Sequence, residues 1–312
     1  MQVILDIILP VFGVMLIGYG AARLGFFGKT ASEGLSAFVF NFAIPVLLFR
    51  SLATTELPPV LPWGHLLSFY LGAAIVTVFG MAVGRIVRNR PLDGQGIVGL
   101  TAGYGNTVMI GVPLVLTAFG DAATLPLFLV IAFHSAVLIT SGTIIVEIAQ
   151  GSRAGLRKLP LNLFKAFATN PIIVGLMAGL LVAAMSLPLP KPVDDITRLL
   201  GTAAAPCALF AMGAALPQYR IAGNVLESSL VTILKLAVHP LLVWLLATYV
   251  FTVDPLHLQV AVLLAATPVG ANVYLLAARY NVGTATATTS VFLTTAASLF
   301  TLSIVLLLIT TR

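Results

Sequence analysis

Long uncharged runs, separated by short charged or Pro/Gly-rich joints, recur along the whole chain, and ten are long enough to be membrane-crossing helices. The first five cover about 3–22, 30–53, 64–87, 95–118 and 122–148; the second five cover about 166–186, 196–216, 226–250, 256–279 and 283–309. A hydrocarbon layer about 30 Å thick needs roughly 20 apolar residues per helix, and these runs supply them. They are unbroken rather than alternating, which excludes a porin-like barrel. The pattern predicts an all-α integral membrane protein. Composition agrees: only 8% of the 312 residues are Asp, Glu, Lys or Arg, against roughly 25% in soluble domains. Mean hydropathy is +1.09. A soluble enzyme and a large extramembrane domain are excluded. The one cysteine, Cys207, lies in an apolar stretch, so disulfides and thiolate metal clusters are not expected. No cofactor or metal is expected.

The charges that remain are placed unevenly. Arg23, Lys29, Arg85, Arg88, Arg90, Arg153, Arg157, Lys158, Lys165, Arg220 and Arg279 fall on one side; Arg50, Lys191, Arg198 and Arg312 fall on the other. The basic-poor side also holds Asp6, Glu56, Asp121, Asp194, Asp195 and Asp254. The positive-inside rule then predicts a multi-pass protein of the cytoplasmic membrane with both termini extracytoplasmic and the loop near 149–165 in the cytoplasm. The net charge of +6 is thus a topology signal, and no nucleic-acid partner is expected. Asp6 stands where a signal peptide would be basic, so the first run is expected to stay as a span.

Two short stretches match in register. Ala43-Ile44-Pro45-Val46-Leu47-Leu48-Phe49 and Ala204-Ala205-Pro206-Cys207-Ala208-Leu209-Phe210 share Ala, Pro, Leu and Phe at an offset of 161. The predicted domains are therefore a five-helix repeat over 1–148, a cytoplasmic linker over 149–165 and a second repeat over 166–312. Five crossings is an odd number, so the second copy inserts upside down, as in many secondary transporters. The same offset carries Asn106 onto Thr267.

Those two residues mark breaks in the fourth and ninth spans. Thr101 to Pro113 contains Gly103, Gly105 and Gly111 with Asn106 among them; Ala265 to Asn272 contains Thr267-Pro268 and Gly270. Such residues are poor material for a continuous helix. Asn106 suits the cap of a new half-helix, and Thr267-Pro268 suits a cap followed by a first helical position. The expectation is two broken helices crossing at mid-membrane, each turning the positive end of a half-helix inward. No Asp or Glu accompanies them, which suits an anion.

The residues around these breaks resemble the auxin efflux carrier family: Asn106-Thr-Val-Met-Ile-Gly-Val-Pro-Leu114, Phe42-Ala-Ile-Pro-Val-Leu-Leu-Phe49, Thr267-Pro-Val-Gly270 with Ala278-Arg-Tyr-Asn-Val282, and Lys235-Leu-Ala-Val-His-Pro240. The resemblance covers all ten spans. It implies ten helices in two inverted five-helix repeats, a scaffold domain, a transport domain at the crossing, and a homodimer through the scaffold. The architecture is shared in outline with bile-acid/sodium symporters. It also implies an organic-anion substrate, such as auxin or, in the bacterial branch, malonate and malate. Plant members place a proline before the asparagine, where this chain has Gly105, and carry a long hydrophilic central loop that is lacking here. A bacterial-type member is the expectation.

On this basis the candidate substrate-binding residues are Gly105, Asn106, Thr107, Thr267, Pro268, Asn272 and Asn41. Lys235, His239 and His134 are candidates for coupling or counter-charge. Lys235 lies deep in the eighth span with His239 one turn on. It reads equally as a substrate counter-charge, a fixed cation, or a lysine tying helices together through backbone carbonyls. His134 reads as part of a proton path or as a neutral hydrogen-bond partner. The threonines of the tenth span, Thr284 to Thr295, read as polar packing. The expected function is elevator-type secondary transport of a small mono- or dicarboxylate, with a proton- or sodium-coupled symporter as the alternative. A channel or receptor predicts no repeat of broken helices, and an intramembrane enzyme would need a convergent catalytic set that no span offers.

Overall fold

Prolines and glycines decide where the apolar runs stay regular. The computed structural model describes residues 4–55, 61–219, 221–223 and 225–310. In chain order its α-helices begin with α1 (Leu9–Arg23), α2 (Lys29–Phe38), α3 (Ile44–Ala53), α4 (Trp63–Arg88), α5 (Leu92–Gly103), α6 (Val112–Phe119), α7 (Thr124–Ala149) and α8 (Arg153–Thr169). There follow α9 (Pro171–Ala184), α10 (Lys191–Thr202), α11 (Ala204–Ala215), α12 (Val225–Ile233), α13 (His239–Leu245), α14 (Pro255–Ala265), α15 (Asn272–Tyr280) and α16 (Thr284–Thr310). Among the described residues every extended element is helical. Seven stretches of the described residues are long and apolar enough to cross a membrane: Asp6–Arg23, Lys29–Ala53, Trp63–Arg88, Thr107–Ala149, Lys191–Gln218, Val225–Val250 and Thr284–Thr310.

Wide π turns interrupt several of these stretches. They fall at Val39–Ala43, Thr107–Gly111, Leu234–Val238 and Leu246–Val250. The first three are each followed by a proline at the start of the next α segment, Pro45, Pro113 and Pro240. A proline ring collides with the carbonyl four residues back and lacks an N–H; one extra residue in the preceding turn relieves both problems.

The fourth span is broken, into α5 and α6, and so is the ninth, into α14 and α15. Three other boundaries differ from the sequence reading. The sixth begins at Pro171 because Asn170 is an N-cap: its Oδ1 accepts from Ile172 N at 3.0 Å. The seventh is interrupted at Ala203, between α10 and α11. The connection expected over 149–165 is mostly helical, as α8. Of the residues used to orient the chain, Glu56, Arg220 and Arg312 lie outside the described residues.

The chain forms two compact units, and neither is a contiguous half of it. The first comprises Met1–Pro62, Val108–Ala132 and Phe164–Gln218; the second comprises Trp63–Thr107, Phe133–Leu163 and Tyr219–Arg312. In the first, α1 packs on α11 and α3 on α9. Gly18 lies directly under the Phe210 carbonyl, and a methyl on Gly179 would stand 2.5 Å from the Phe49 carbonyl oxygen. Small residues let helix backbones touch where lipid offers no hydrophobic drive for association. Arg50 Nε donates to Asp194 at 2.7 Å in the same unit.

In the second unit α4 packs on α5, α12 on α16, and α13 on α14 and α4. Ile97, Leu100, Tyr104, Val269, Val273 and Val291 lie in its apolar core. One ion pair is sunk into it. Both Glu227 oxygens accept from Arg90 at 2.6 Å, and Thr286 Oγ1 donates to Glu227 at 2.7 Å. Glu227 is fully buried. A buried carboxylate is tolerable with this many donors around it.

Candidate functional site

The second unit brings together two stretches of unwound backbone. Helix α5 ends at Gly103, and Tyr104 turns extended (φ −89°, ψ 116°). Helix α14 ends at Ala265, and helix resumes only at Asn272. Between them the strands pair antiparallel at Gly105 and Val269. Asn106 N donates to Pro268 O at 2.7 Å, and Gly270 N donates to Tyr104 O at 3.3 Å. Two interrupted helices thus satisfy part of their freed backbone on each other. Gly105 allows the approach: a methyl there would lie 2.6 Å from Thr267 Oγ1 and 3.3 Å from Lys235 Nζ.

This geometry corrects the expected cap. Thr267 Oγ1 donates to Leu264 O at 2.7 Å, so it closes the C-terminal end of α14 rather than opening a new helix. Pro268 lies in the paired segment, where its carbonyl is used and its missing N–H is not needed. The half-helix starts four residues later than the Thr-Pro signature suggested. Gly105 faces Val269 in this antiparallel pairing, so Asn106 faces Pro268.

Side chains close in around the crossing. Lys235 is fully buried, and its Nζ donates to Ala265 O at 2.5 Å and lies 3.1 Å from His239 Nδ1. The lysine therefore caps the carbonyl end of α14 through its last helical residue. His134 Nε2 is 3.0 Å from Gly105 O; a carbonyl can only accept, so this nitrogen carries the proton. Its Nδ1 and the Nε2 of His239 have no partner among the described residues. Phe69 lies beside both imidazoles, with ring centroids 5.7 Å from each. Asn272 Nδ2 donates to the Tyr104 hydroxyl at 2.8 Å, and that hydroxyl is 2.7 Å from Ser135 Oγ.

Of the residues singled out from the sequence, Gly105, Asn106, Thr107, Thr267, Pro268, Asn272, Lys235, His239 and His134 belong to the second unit. Asn41 belongs to the first, where it is exposed within the π turn Val39–Ala43. Sequence reasoning missed Tyr104 and Ser135, which position Asn272. It also treated Thr294 as packing alone, whereas Thr294 Oγ1 accepts from Val269 N at 3.0 Å and holds the crossing. The Gly-Tyr-Gly string was a signal for Tyr104; nothing local marks Thr294, 25 residues from the amide it serves. The Arg90–Glu227 pair was invisible for the same reason, with 137 residues between its members.

The crossing gathers side-chain amides, two imidazoles and an amine, and no carboxylate occurs in 94–119 or 255–283. Such a set is better matched to an anion than to a cation.

Comparison with known proteins gives the family. The membrane transport protein family profile matches residues 3–306. A Rhizobium meliloti (strain 1021) protein named "Putative malonate transporter" is 30% identical over 309 residues, covering 99% of this chain and 97% of its own. An Escherichia coli (strain K12) protein named "Uncharacterized transporter YfdV" is 24% identical over 286 residues, covering 91% and 90%. An "Uncharacterized transporter" of Methanothermobacter thermautotrophicus is 24% identical over 303 residues, covering 95% of each.

Proposed function

The chain belongs to the membrane transport protein family, that of the auxin efflux carriers, and we propose that it is a secondary transporter carrying a small organic anion across the cell membrane. The observation that carries the anion reading is the crossing itself. Two unwound segments meet in a buried setting that holds amide, imidazole and amine groups but no acid. The name of the Rhizobium relative makes malonate the first substrate to test.

Three finer points belong to the same proposal. The architecture is ten helices in inverted repeats, and the paired glycine contacts support it. Gly18 meets Phe210 and Gly179 meets Phe49, and each residue of one contact is 161 positions from its counterpart in the other. The mechanism is elevator-type: the unit holding the crossing carries the anion, and the other unit serves as scaffold and homodimer interface. The division into two compact units, each drawn from both halves of the chain, supports this. Both termini are extracytoplasmic, on the distribution of basic residues. A sodium-coupled variant lacks support, since the crossing offers no carboxylate to a cation.

Counterflow of labelled malonate in proteoliposomes tests the reading, with acetate, succinate and malate as competitors. Saturable exchange is expected, whereas single-channel currents would sink a carrier. Asn106→Ala and Asn272→Ala should each weaken binding by about tenfold, equivalent to about 1.4 kcal/mol, with the protein still monodisperse. Wild-type affinity in both variants removes the crossing from the binding site.

A further inference from the structure

The amine and imidazole side chains at the crossing form a set without an acid. Lys235, His239 and His134 are buried to 0%, 0% and 2% exposure. Lys235 meets two acceptors, Ala265 O and His239 Nδ1. A neutral amine has two N–H groups and is satisfied by that pair. An ammonium has a third, and Nζ would lie 3.3 Å from a methyl on Gly105, at the centre of the crossing.

The surroundings offer this third hydrogen no counter-charge. Helix α7 contributes His134, itself a base; the crossing contributes Tyr104; α4 turns Phe69 toward both imidazoles. Helix α14 gives a carbonyl, and α16 has no ionisable residue. Glu227, eight residues before Lys235, is already held by Arg90 and Thr286. An incoming carboxylate supplies the missing opposite charge.

We propose that the Lys235–His239 pair is the binding site of a co-transported proton, so that the anion and one proton occupy the crossing together. This rests on the anion reading above and adds its coupling. A proton from bulk water binds the lone pair of Lys235 Nζ, or binds His239 Nδ1, which then donates to Nζ and frees one of its hydrogens. Either way an Nζ–H donates to the carboxylate, and the pair crosses with one negative charge fewer than the anion alone. His134 Nε2 directs its proton to Gly105 O, so that nitrogen has no free lone pair for the exchange. The bound state holds more protons than the free state, so affinity rises as pH falls.

Calorimetric titration of the purified full chain with malonate tests this, run between about pH 6 and about pH 9 in two buffers of different ionisation enthalpy. Uptake approaching about one proton per anion is expected at the alkaline end, with affinity changing by up to about tenfold per pH unit there. Lys235→Met should bind malonate more weakly, with heats independent of buffer. Binding by the wild-type protein with buffer-independent heats across the whole range overturns the proposal and leaves the anion reading intact. No binding of malonate, succinate, malate or acetate at any pH overturns both. The wild-type measurement decides the matter even where Lys235→Met fails to fold. Uptake that survives in a folded Lys235→Met protein also overturns the assignment.

Discussion

Gly105 shows how one residue sets the terms for a membrane site. Its α-carbon faces Thr267 Oγ1 and Lys235 Nζ, and its carbonyl receives His134 Nε2. The neighbouring amide and carbonyl complete the pairing with the other broken helix. An alanine methyl 2.6 Å from Thr267 Oγ1 would have to displace that hydroxyl, which already closes the end of α14. Overpacking of this kind costs about 1–3 kcal/mol. Gly105→Ala should therefore lower the thermal midpoint and weaken anion binding together. Gly13→Ala, where a methyl meets nothing within 4 Å, is the control that should change neither. A Gly105→Ala protein that binds malonate like wild type would show that close approach at the crossing is dispensable.

At the scale of whole elements, what the sequence revealed was composition, and what it hid was distance. Glycine, proline and asparagine placed both breaks within a few residues, because these residue types disfavour helix wherever they stand. Lys235 and His239 were recognisable as a pair because helical geometry fixes residues four apart on one face. The restart of α15 was misplaced because a Thr-Pro pair serves equally at the end of one helix and in an extended segment. That choice was settled by Pro268 O accepting from Asn106 N, a partner 162 positions away. The start of α14 was equally open to reading, and it supports a prediction. Asp254 Oδ1 accepts from Leu256 N at 3.0 Å and lies 3.2 Å from His257 Nδ1. The His257 contact is the main influence holding the Asp254 carboxyl below the usual carboxylate range. A depressed carboxyl adds stability above its unfolded value and loses it as pH falls through the folded one. Asp254→Ala should cost about 1 kcal/mol at neutral pH, read as a lower melting temperature. Asp254→Asn should keep most of the cap while flattening the acid limb of the melting-temperature profile. An unchanged acid limb would detach this aspartate from the pH response.

The two compact units divide the tasks of the molecule by chemistry. The first holds its helices together by backbone contact at small residues and by the Arg50–Asp194 pair. The second gathers the buried polar groups: the crossing, the Lys235–His239 pair, the hydroxyls of α16 and the Arg90–Glu227 pair. Such groups are expensive in lipid and are retained where they contact ligand or freed backbone. The first unit, in turn, gives the sharpest test of the repeat. If residues 161 apart occupy equivalent places, Gly18 and Gly179 should respond alike, although they lie in different helices, α1 and α9. A valine at either would force apart a helix pair in direct backbone contact, at a cost of about 1–3 kcal/mol. Gly18→Val and Gly179→Val should lower the melting temperature by similar amounts, and the double variant by about their sum, since α1–α11 and α3–α9 are separate contacts. Substrate affinity measured on folded protein should be unchanged in both, because the candidate binding groups of the crossing belong to the other unit. Strongly unequal destabilisation would mean that the matched glycines occupy unequal environments, and the inverted repeat would lose its structural support.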